Sequence, residues 1–217
     1  MPGNDAKLRV TEIFHSIQGE SSRVGLPTTF VRLTGCPLRC VWCDTAYAFT
    51  GGESMTVAEV VDKVAAFGCN TVCVTGGEPL AQKACPELLE ALCAAGYSVS
   101  LETSGALDIS AVDPRVSCIM DLKAPGSGEA AKNRLENLDH LTGQDELKIV
   151  IASAADYEWA KAMLVEHRLM ERCPVLFAPV ADCLEPRILA EWILRDGLPV
   201  RFQLQLHKVL WGSQRGR

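Results

Sequence analysis

Three cysteines stand close together in the segment "GCPLRCVWCDT", residues 35–45, at Cys36, Cys40 and Cys43. Glycine, proline and charged residues interrupt their C-x3-C-x2-C spacing, so no periodic helix or strand would bury all three. In a reducing compartment, such a group of thiols indicates metal binding or catalysis more often than disulfide bonds. The chemistry to be explained is therefore that of a metal centre held by three thiolates.

The choice of metal depends on the missing fourth ligand. A structural zinc site needs four ligands, but His15 and His207 are isolated in the sequence. The remaining cysteines form no second C-x2-C pair: Cys69, Cys73, Cys85, Cys93, Cys118, Cys173 and Cys183. A [4Fe–4S] cluster on three thiolates leaves one iron open to an exogenous ligand. The spacing favours this cluster, and a non-enzymatic zinc-binding interaction module stays open as an alternative.

The rest of the chain alternates strands with helices. Strands are predicted within residues 28–35, 70–79, 97–105, 116–128, 145–152, 173–180 and 198–210, the last being a closing strand, "LPVRFQLQLHKVL". Helices are predicted within residues 56–68, 86–96, 155–170 and 186–197, whereas residues 104–116 predict only a short or degenerate crossover. Such alternation implies a parallel sheet whose faces are covered, with polar motifs at the carboxyl ends of the strands. We therefore predict one α/β domain, residues 1–217, folded as a partial, open β/α barrel of about six parallel strands with degenerate helices.

Composition narrows the classes of partner. The formal net charge of −6 argues against a surface that neutralises nucleic-acid phosphates. The N-terminal residues "MPGNDAKLRVTEIF" lack a signal-peptide core, and no segment has the ~20 apolar residues that a membrane span needs. The sequence thus predicts a cytoplasmic protein with neither nucleic acid nor membrane as a partner.

The cysteine motif and a second motif together resemble the radical S-adenosylmethionine superfamily, in which that cofactor chelates the open iron. "TGGEPL", residues 75–80, is similar to the superfamily's glycine–glycine–glutamate turn, and Trp42 matches the aromatic residue before the last cysteine. The resemblance implies that Gly77 and Glu78 bind the methionine end of the cofactor, where Glu78 either neutralises its ammonium or orders the turn. It further implies cofactor contacts from two strand ends and a later turn: Thr103, Ser104, Asp121, Leu122, Lys123, Ala178, Pro179, Val180 and Ala181.

A polar segment near the N-terminus indicates the substrate. Gln18, Gly19 and Glu20 follow a strand-like run ending at Ile17, and their amide and carboxylate groups suit the edge of a pterin or purine. Arg32 lies on the strand before the cysteines. An inward-facing arginine in a small barrel is costly without an anion, so we expect it to bind a substrate carboxylate.

These segments, "SIQGE", "GLPTTFVRLTGC" and "CVWCDT", with the closing "QLQLHK", resemble the 7-carboxy-7-deazaguanine synthase family over nearly the whole chain. The resemblance implies ring contraction of 6-carboxy-5,6,7,8-tetrahydropterin with loss of ammonia, S-adenosylmethionine acting catalytically. It also implies Mg2+ at Thr45. The pterin contacts that it implies come from Ile17, Gln18, Gly19, Glu20, Arg32, Thr75 and His207. Relatives are commonly homodimers, and an electron donor such as flavodoxin is expected.

The chain departs from the family pattern in places. Ser21 replaces the glycine that many relatives carry after "QGE", and "FAPV" lacks a glutamine found in some. Several residues follow His207, so the family's occasional use of the C-terminal carboxylate cannot be assigned to Arg217. The main alternative is an activating enzyme for glycyl-radical proteins, which would share the cysteines and the glycine turn but would not need Gln18, Glu20 and Arg32.

Overall fold

A computed structural model of the chain describes residues 6–212 and 214–216. In this part of the chain nine strands form one sheet, in the order β3-β1-β2-β4-β5-β6-β7-β8-β9. The strands are β1 (Lys7–Ile17), β2 (Pro27–Leu33), β3 (Glu53–Thr56), β4 (Thr71–Gly76), β5 (Ser98–Thr103), β6 (Ser117–Asp121), β7 (Glu146–Ile151), β8 (Val175–Pro179) and β9 (Arg201–Phe202). The helices are α1 (Val57–Ala65), α2 (Cys85–Ala94), α3 (Ala154–Glu166), α4 (Pro186–Asp196) and α5 (Leu206–Trp211). Arg217 lies outside the described residues.

The sheet confirms the predicted open α/β barrel. All pairings from β2 through β9 are parallel, whereas β1 pairs antiparallel with both β2 and β3. The connection between β5 and β6, residues 104–116, contains turns and no helix, as the sequence predicted. The connection between β6 and β7 contains 3-10 turns in place of an α-helix, as at Pro125–Ser127 and Leu135–His140. None of the helices in the described ranges is long and apolar enough to cross a membrane.

Alternation along the strands separates an apolar outer face from a polar inner one. On β7, Leu147, Ile149 and Ile151 are fully buried against the helices, and Lys148 faces the interior of the barrel. Helix α1 begins with the predicted capping box, in which Glu59 N donates to Thr56 Oγ1 over 3.2 Å and Thr56 N donates to Glu59 Oε2 over 2.7 Å. The packing of the outer face against the helices thus stabilises the sheet, and the inner side chains remain available to bind ligands.

The prediction of a closing strand within residues 198–210 is wrong for most of that segment. Only Arg201–Phe202 pair with β8, and the chain then forms α5, which carries His207. Gln203 explains the departure, because its amide exchanges two hydrogen bonds with the backbone of Ser21, at 2.9 and 3.0 Å. These bonds draw the alternating Gln-Leu segment away from the sheet edge.

The loop of residues 18–26 lies at an unexpected end of the barrel. Because β1 is antiparallel to β2, the loop meets the amino ends of the parallel strands, opposite the cysteine loop. Ser22 N donates to both oxygens of Glu146, the first residue of β7, at 2.9 and 3.0 Å. Arg23 donates to the carbonyls of Ser98 and Val99 at the start of β5. The loop is therefore the floor of the barrel, and the expectation that every polar motif follows a parallel strand is wrong for it.

Candidate active site

A cavity of about 260 Å3 runs through the barrel between the cysteine loop and the floor loop. Most residues singled out from the sequence line it: Ile17, Gln18, Gly19, Glu20, Arg32, Cys36, Cys40, Cys43, Thr45, Thr75, Gly77, Thr103, Ser104, Asp121, Lys123, Val180, Ala181 and His207. Four do not line it: Glu78, Leu122, Ala178 and Pro179. The cysteine loop and the floor loop, at opposite ends of the barrel, therefore border the same cavity.

The three thiols lie in a loop fixed by backbone contacts. Cys43 N donates to Cys40 O over 3.2 Å, and Val41 N donates to Ser127 O over 3.0 Å. Arg39 donates to Cys36 O over 2.8 Å, and its guanidinium lies 4.2 Å from the centre of the Phe49 ring. Burial raises the pKa of the Cys36 and Cys40 thiols, so loading a metal centre there must release protons.

The donor set fits a [4Fe–4S] cluster, which takes each thiolate on a different iron. Within residues 6–212 and 214–216, no group of three His, Cys, Asp or Glu side chains is arranged to hold a single metal ion. The three half-buried thiols beside a shared cavity fit the cluster.

The glycine turn after β4 packs directly against this loop. A Cβ atom at Gly77 would overlap the carbonyl oxygen of Gly35, and Gly76 has φ 145°. Glu78 N donates to Gly35 O over 2.7 Å. Only glycine permits this approach, which places the turn next to the thiols.

Glu78 lies behind the cavity wall, fully buried. Its carboxylate accepts hydrogen bonds from Leu80 N at 3.0 Å, the Thr103 hydroxyl at 2.9 Å, Ser104 N at 2.6 Å and the Ser104 hydroxyl. Of the two roles that the sequence left open, these contacts correspond to ordering the turn. The Thr103 and Ser104 hydroxyls are committed to Glu78 as donors.

Asp121 and Lys123 end β6 at the cavity. Lys123 Nζ lies 2.8 Å from Asp121 Oδ2. The Oδ1 atom is buried and has no hydrogen-bond partner in the described residues, although Lys148 Nζ lies 3.3 Å from it. Burial opposes ionisation of Asp121, but Lys123 and Lys148 outweigh it and hold the pKa of Asp121 below its usual range. Asp121 lines the cavity, and a carboxylate there can accept a hydrogen bond from a ligand hydroxyl, such as that of a ribose.

A second set of polar groups joins strands β4 and β5 to residues of the floor loop. Thr75 Oγ1 donates to Glu102 Oε2 over 2.9 Å, and Gln18 Nε2 donates to Glu102 Oε1 over 3.3 Å. Burial raises the pKa of Glu102. Gln205 Nε2 donates to Glu20 Oε1 over 2.6 Å. The arrangement presents carboxylate and amide groups to the cavity.

Arg32 has a partner that the sequence did not reveal. Its Nε donates to Glu12 Oε1 over 2.7 Å, and Tyr47 OH donates to the same oxygen over 2.7 Å. The guanidinium lies between the rings of Phe14 and Tyr47, 5.6 and 5.9 Å from their centres. Burial raises the pKa of Tyr47 to about 12. Glu12 therefore supplies the counter-charge that an inward-facing arginine needs when no substrate is bound.

Thr45 and His207 both line the cavity. Thr45 belongs to the cysteine loop, and His207 belongs to α5. Thr45 Oγ1 donates to Asp44 Oδ1 over 2.8 Å, and Lys208 Nζ lies 3.2 Å from Asp44 Oδ2. Leu206 N donates to Gly19 O over 2.9 Å, and the His207 ring fills the space that a Cβ at Gly19 would occupy. Helix α5 thus seats on the floor loop.

Five polar or charged cavity residues were missed from the sequence: Asp44, Glu102, Lys148, Gln205 and Lys208. A signal existed for two of them. Glu102 in "YSVSLETSG" and Lys148 in "DELKIVIA" are charged residues on predicted strands, at positions that alternate with buried apolar residues and therefore face inward. The other three carried no such signal, because their placement depends on the loops.

The chain is similar to known proteins over almost its entire length. The Radical SAM superfamily profile matches residues 30–116. The 7-carboxy-7-deazaguanine synthase of Chlorobaculum tepidum is 50% identical over 210 residues, 95% of this chain and 96% of the relative. The protein of the same description from Koribacter versatilis is 44% identical, with 94% and 97% covered. The crystal structure of QueE from Escherichia coli has the same fold, with a TM-score of 0.76 at 22% identity, covering 93% of this chain and 95% of that one.

Proposed function

Because the chain belongs to the 7-carboxy-7-deazaguanine synthase family of radical S-adenosylmethionine enzymes, we propose that its cavity converts 6-carboxy-5,6,7,8-tetrahydropterin to 7-carboxy-7-deazaguanine with loss of ammonia. One observation carries the assignment of the reaction to this cavity. The three thiols line one end of it, and Gln18, Glu20 and Arg32 line the rest. A cluster-bound cofactor and a pterin can therefore share this cavity.

The cofactor end is formed by the cysteine loop and the strand ends beside it. Cys36, Cys40 and Cys43 would hold the [4Fe–4S] cluster, which with S-adenosylmethionine would supply the radical chemistry for hydrogen abstraction. Gly77, Asp121, Lys123, Val180 and Ala181 bind the cofactor. Glu78, Thr103 and Ser104 keep the turns in place through their mutual hydrogen bonds. Leu122, Ala178 and Pro179 support this end through the backbone, since Leu122 N donates to Lys148 O and β8 pairs with β7.

The other end of the cavity, the substrate end, recognises the pterin by hydrogen bonds. Glu20 and Glu102 accept from ring N–H groups, and Gln18, Thr75 and His207 complete the edge. Arg32 binds the substrate carboxylate through the side of its guanidinium turned away from Glu12. Ile17 and Gly19 shape the floor. Packing of α5 on Gly19 helps to exclude water from this end.

Mg2+ is assigned to Thr45, where hydroxyl and carboxylate oxygens suit a hard cation. Asp44 is the adjacent carboxylate and would supply a second oxygen ligand. In this structure Lys208 Nζ lies 3.2 Å from Asp44 Oδ2. A bound Mg2+ would supply a positive charge that stabilises anionic oxygens of the substrate.

The remaining predictions concern the protein's surroundings. A single domain over residues 1–217, a homodimer, an electron donor such as flavodoxin and a cytoplasmic location remain expectations from the sequence. The glycyl-radical activating enzyme is not favoured, because the relatives over the whole length are synthases.

The test is turnover under anaerobic, reducing conditions. Protein with a reconstituted cluster is incubated with S-adenosylmethionine, Mg2+ and carboxytetrahydropterin, and carboxydeazaguanine and ammonia are measured together. Equal amounts of both products are expected, with S-adenosylmethionine recovered unchanged. Absence of product from protein that still cleaves S-adenosylmethionine in the presence of reductant would overturn the substrate assignment.

A further inference from the structure

Lys148 stands between the two ends of the cavity. It is the inward-facing residue in the middle of β7 and is 8% exposed. Its ammonium bonds to the carboxylate of Glu20 on the floor loop. The same nitrogen lies 3.3 Å from Oδ1 of Asp121 at the end of β6. One cation is therefore shared by a substrate-side carboxylate and a cofactor-side carboxylate.

Several charged groups face this ammonium. Glu20 comes from the floor loop, Glu102 from β5, and Asp121 from β6, where Lys123 also pairs with it. Asp44 in the cysteine loop is a more distant member of the field and pairs with Lys208. Glu20 is oriented further by Gln205, a neutral donor. Lys148 is thus the cation that the structure places against Glu20.

The ion pair determines the charge of Glu20. Burial opposes ionisation of Glu20, yet the ammonium of Lys148 holds its pKa below the usual range. The carboxylates in turn raise the pKa of Lys148 against its own burial. Burial raises the pKa of Glu102, although Lys148 opposes this shift. Without the Lys148 ammonium, burial would raise the pKa of Glu20 as well.

We propose that Lys148 is a positioning residue whose ammonium, shared between Glu20 and Asp121, makes binding of the pterin and binding of the cofactor depend on each other. A cofactor hydroxyl that donates to the Asp121 carboxylate weakens the attraction of this carboxylate for Lys148 and leaves the ammonium to Glu20. Glu20 is then held more firmly for the pterin. Because coupling between two binding sites is reciprocal, the pterin must strengthen cofactor binding by the same factor. This inference rests on the proposed function.

The experiment measures equilibrium binding rather than activity. For cluster-loaded protein, the Kd of carboxytetrahydropterin is determined with and without saturating S-adenosylmethionine, in the absence of reductant so that no reaction occurs. For the wild type, we expect the cofactor to tighten pterin binding by at least about fivefold, the lower end of typical coupling. In Lys148→Met the ratio should fall to about 1 on the same scale. Lys148→Arg keeps a cation and should retain most of the coupling.

The pH dependence gives a second readout that a merely structural role would not move. In the wild type Glu20 stays ionised, so pterin binding should be flat as pH rises across neutrality. In Lys148→Met the pKa of Glu20 rises, so Glu20 is protonated at low pH and becomes able to accept only as pH increases. Pterin binding by this variant should therefore strengthen with rising pH.

Control variants distinguish a specific role of Lys148 from a general effect of removing a charge. Lys161→Met removes an ion pair with Asp196 outside the cavity and should change neither readout. If the methionine variant does not fold, Lys148→Gln keeps a donor to Glu20 without the charge and is expected to behave as Met should. Unchanged coupling and a flat pH profile in a folded, uncharged variant would overturn the role of Lys148 alone. A wild type that binds no carboxytetrahydropterin would overturn the proposed function together with this inference.

Discussion

Glu78 and Ser104 lie 26 residues apart in the chain, yet the backbone N–H of Ser104 donates to Glu78 Oε2 over 2.6 Å and its hydroxyl donates to the same oxygen. The Thr103 hydroxyl adds a donor from the same strand end. One buried carboxylate therefore ties the turn after β4 to the turn after β5. The cofactor end of the cavity depends on this link for its shape.

Replacing Glu78 with Gln should destabilise the protein. An amide cannot accept all the donors that the carboxylate satisfies, and its own NH2 group would face some of them. A lost buried acceptor costs about 1–3 kcal/mol in the free energy of unfolding. Urea denaturation measures the change. Glu90→Gln, at an exposed position on α2, should stay within about 0.5 kcal/mol of the wild type; equal stability of both variants would contradict the role given to Glu78.

Cys40→Ala should prevent cluster assembly. Two thiolates do not hold a [4Fe–4S] cluster stably, so iron and sulfide should fall from about four each per chain to near zero. Anaerobic metal analysis and electron paramagnetic resonance measure this. Cys93→Ala, on α2 and away from the cavity, is the control and should load normally. About one zinc per chain and no iron in wild-type protein would instead support the zinc-binding module.

Arg32→Ala should weaken pterin binding while leaving the cluster intact. The variant removes the cation for the substrate carboxylate and leaves Glu12 unpaired near the cavity. Truncating one partner of such a pair costs about 2–5 kcal/mol in binding free energy. Calorimetric titration with the pterin measures the loss, and iron content checks the cluster. Arg115→Ala removes a surface pair with Asp113 and should bind as the wild type does; an Arg32 variant that also binds normally would place Arg32 outside substrate recognition.

Lys208→Met should tighten Mg2+ binding. The ammonium lies 3.2 Å from Asp44 Oδ2 and competes with a cation for that carboxylate. A partly exposed ion pair contributes about 0.5–1 kcal/mol, so we expect a gain of about two- to fivefold in affinity. Titration with Mn2+ as a paramagnetic probe, displaced by Mg2+, gives the constant. Lys63→Met on α1 is the control, and weaker metal binding by Lys208→Met would mean that Lys208 orients Asp44 instead.

Ser21→Gly should stabilise the fold. Ser21 has φ 66°, a left-handed conformation that costs a non-glycine residue about 1–2 kcal/mol. Its hydroxyl accepts only one longer bond, from Arg23 N at 3.2 Å, so the net gain should be near 1 kcal/mol in the free energy of unfolding. Thermal and urea unfolding measure it. The neighbouring Ser22→Gly has no such strain to relieve, and a larger gain at Ser22 than at Ser21 would contradict the argument.

The sequence by itself determined the local features of this protein. The parallel strands β2 and β4–β8, the helices α1–α4 and the capping box at Thr56 follow from hydrophobic period, capping residues and glycine stops, all of which act within a few residues. The same holds for the cysteine loop and the glycine turn, whose residue types are demanded by thiolate ligation and by close backbone approach. A resemblance over nearly the whole chain added the reaction.

The tertiary structure alone decided which groups meet inside the barrel. The antiparallel direction of β1 takes Gln18 and Glu20 to the floor, opposite the thiols, and Gln203 turns the C-terminal segment from a strand into α5. The pairings of Lys148 with Glu20 and of Arg32 with Glu12 join residues 128 and 20 positions apart. Such contacts arise because buried charges must find counter-charges wherever the fold brings them, a requirement that no local pattern records.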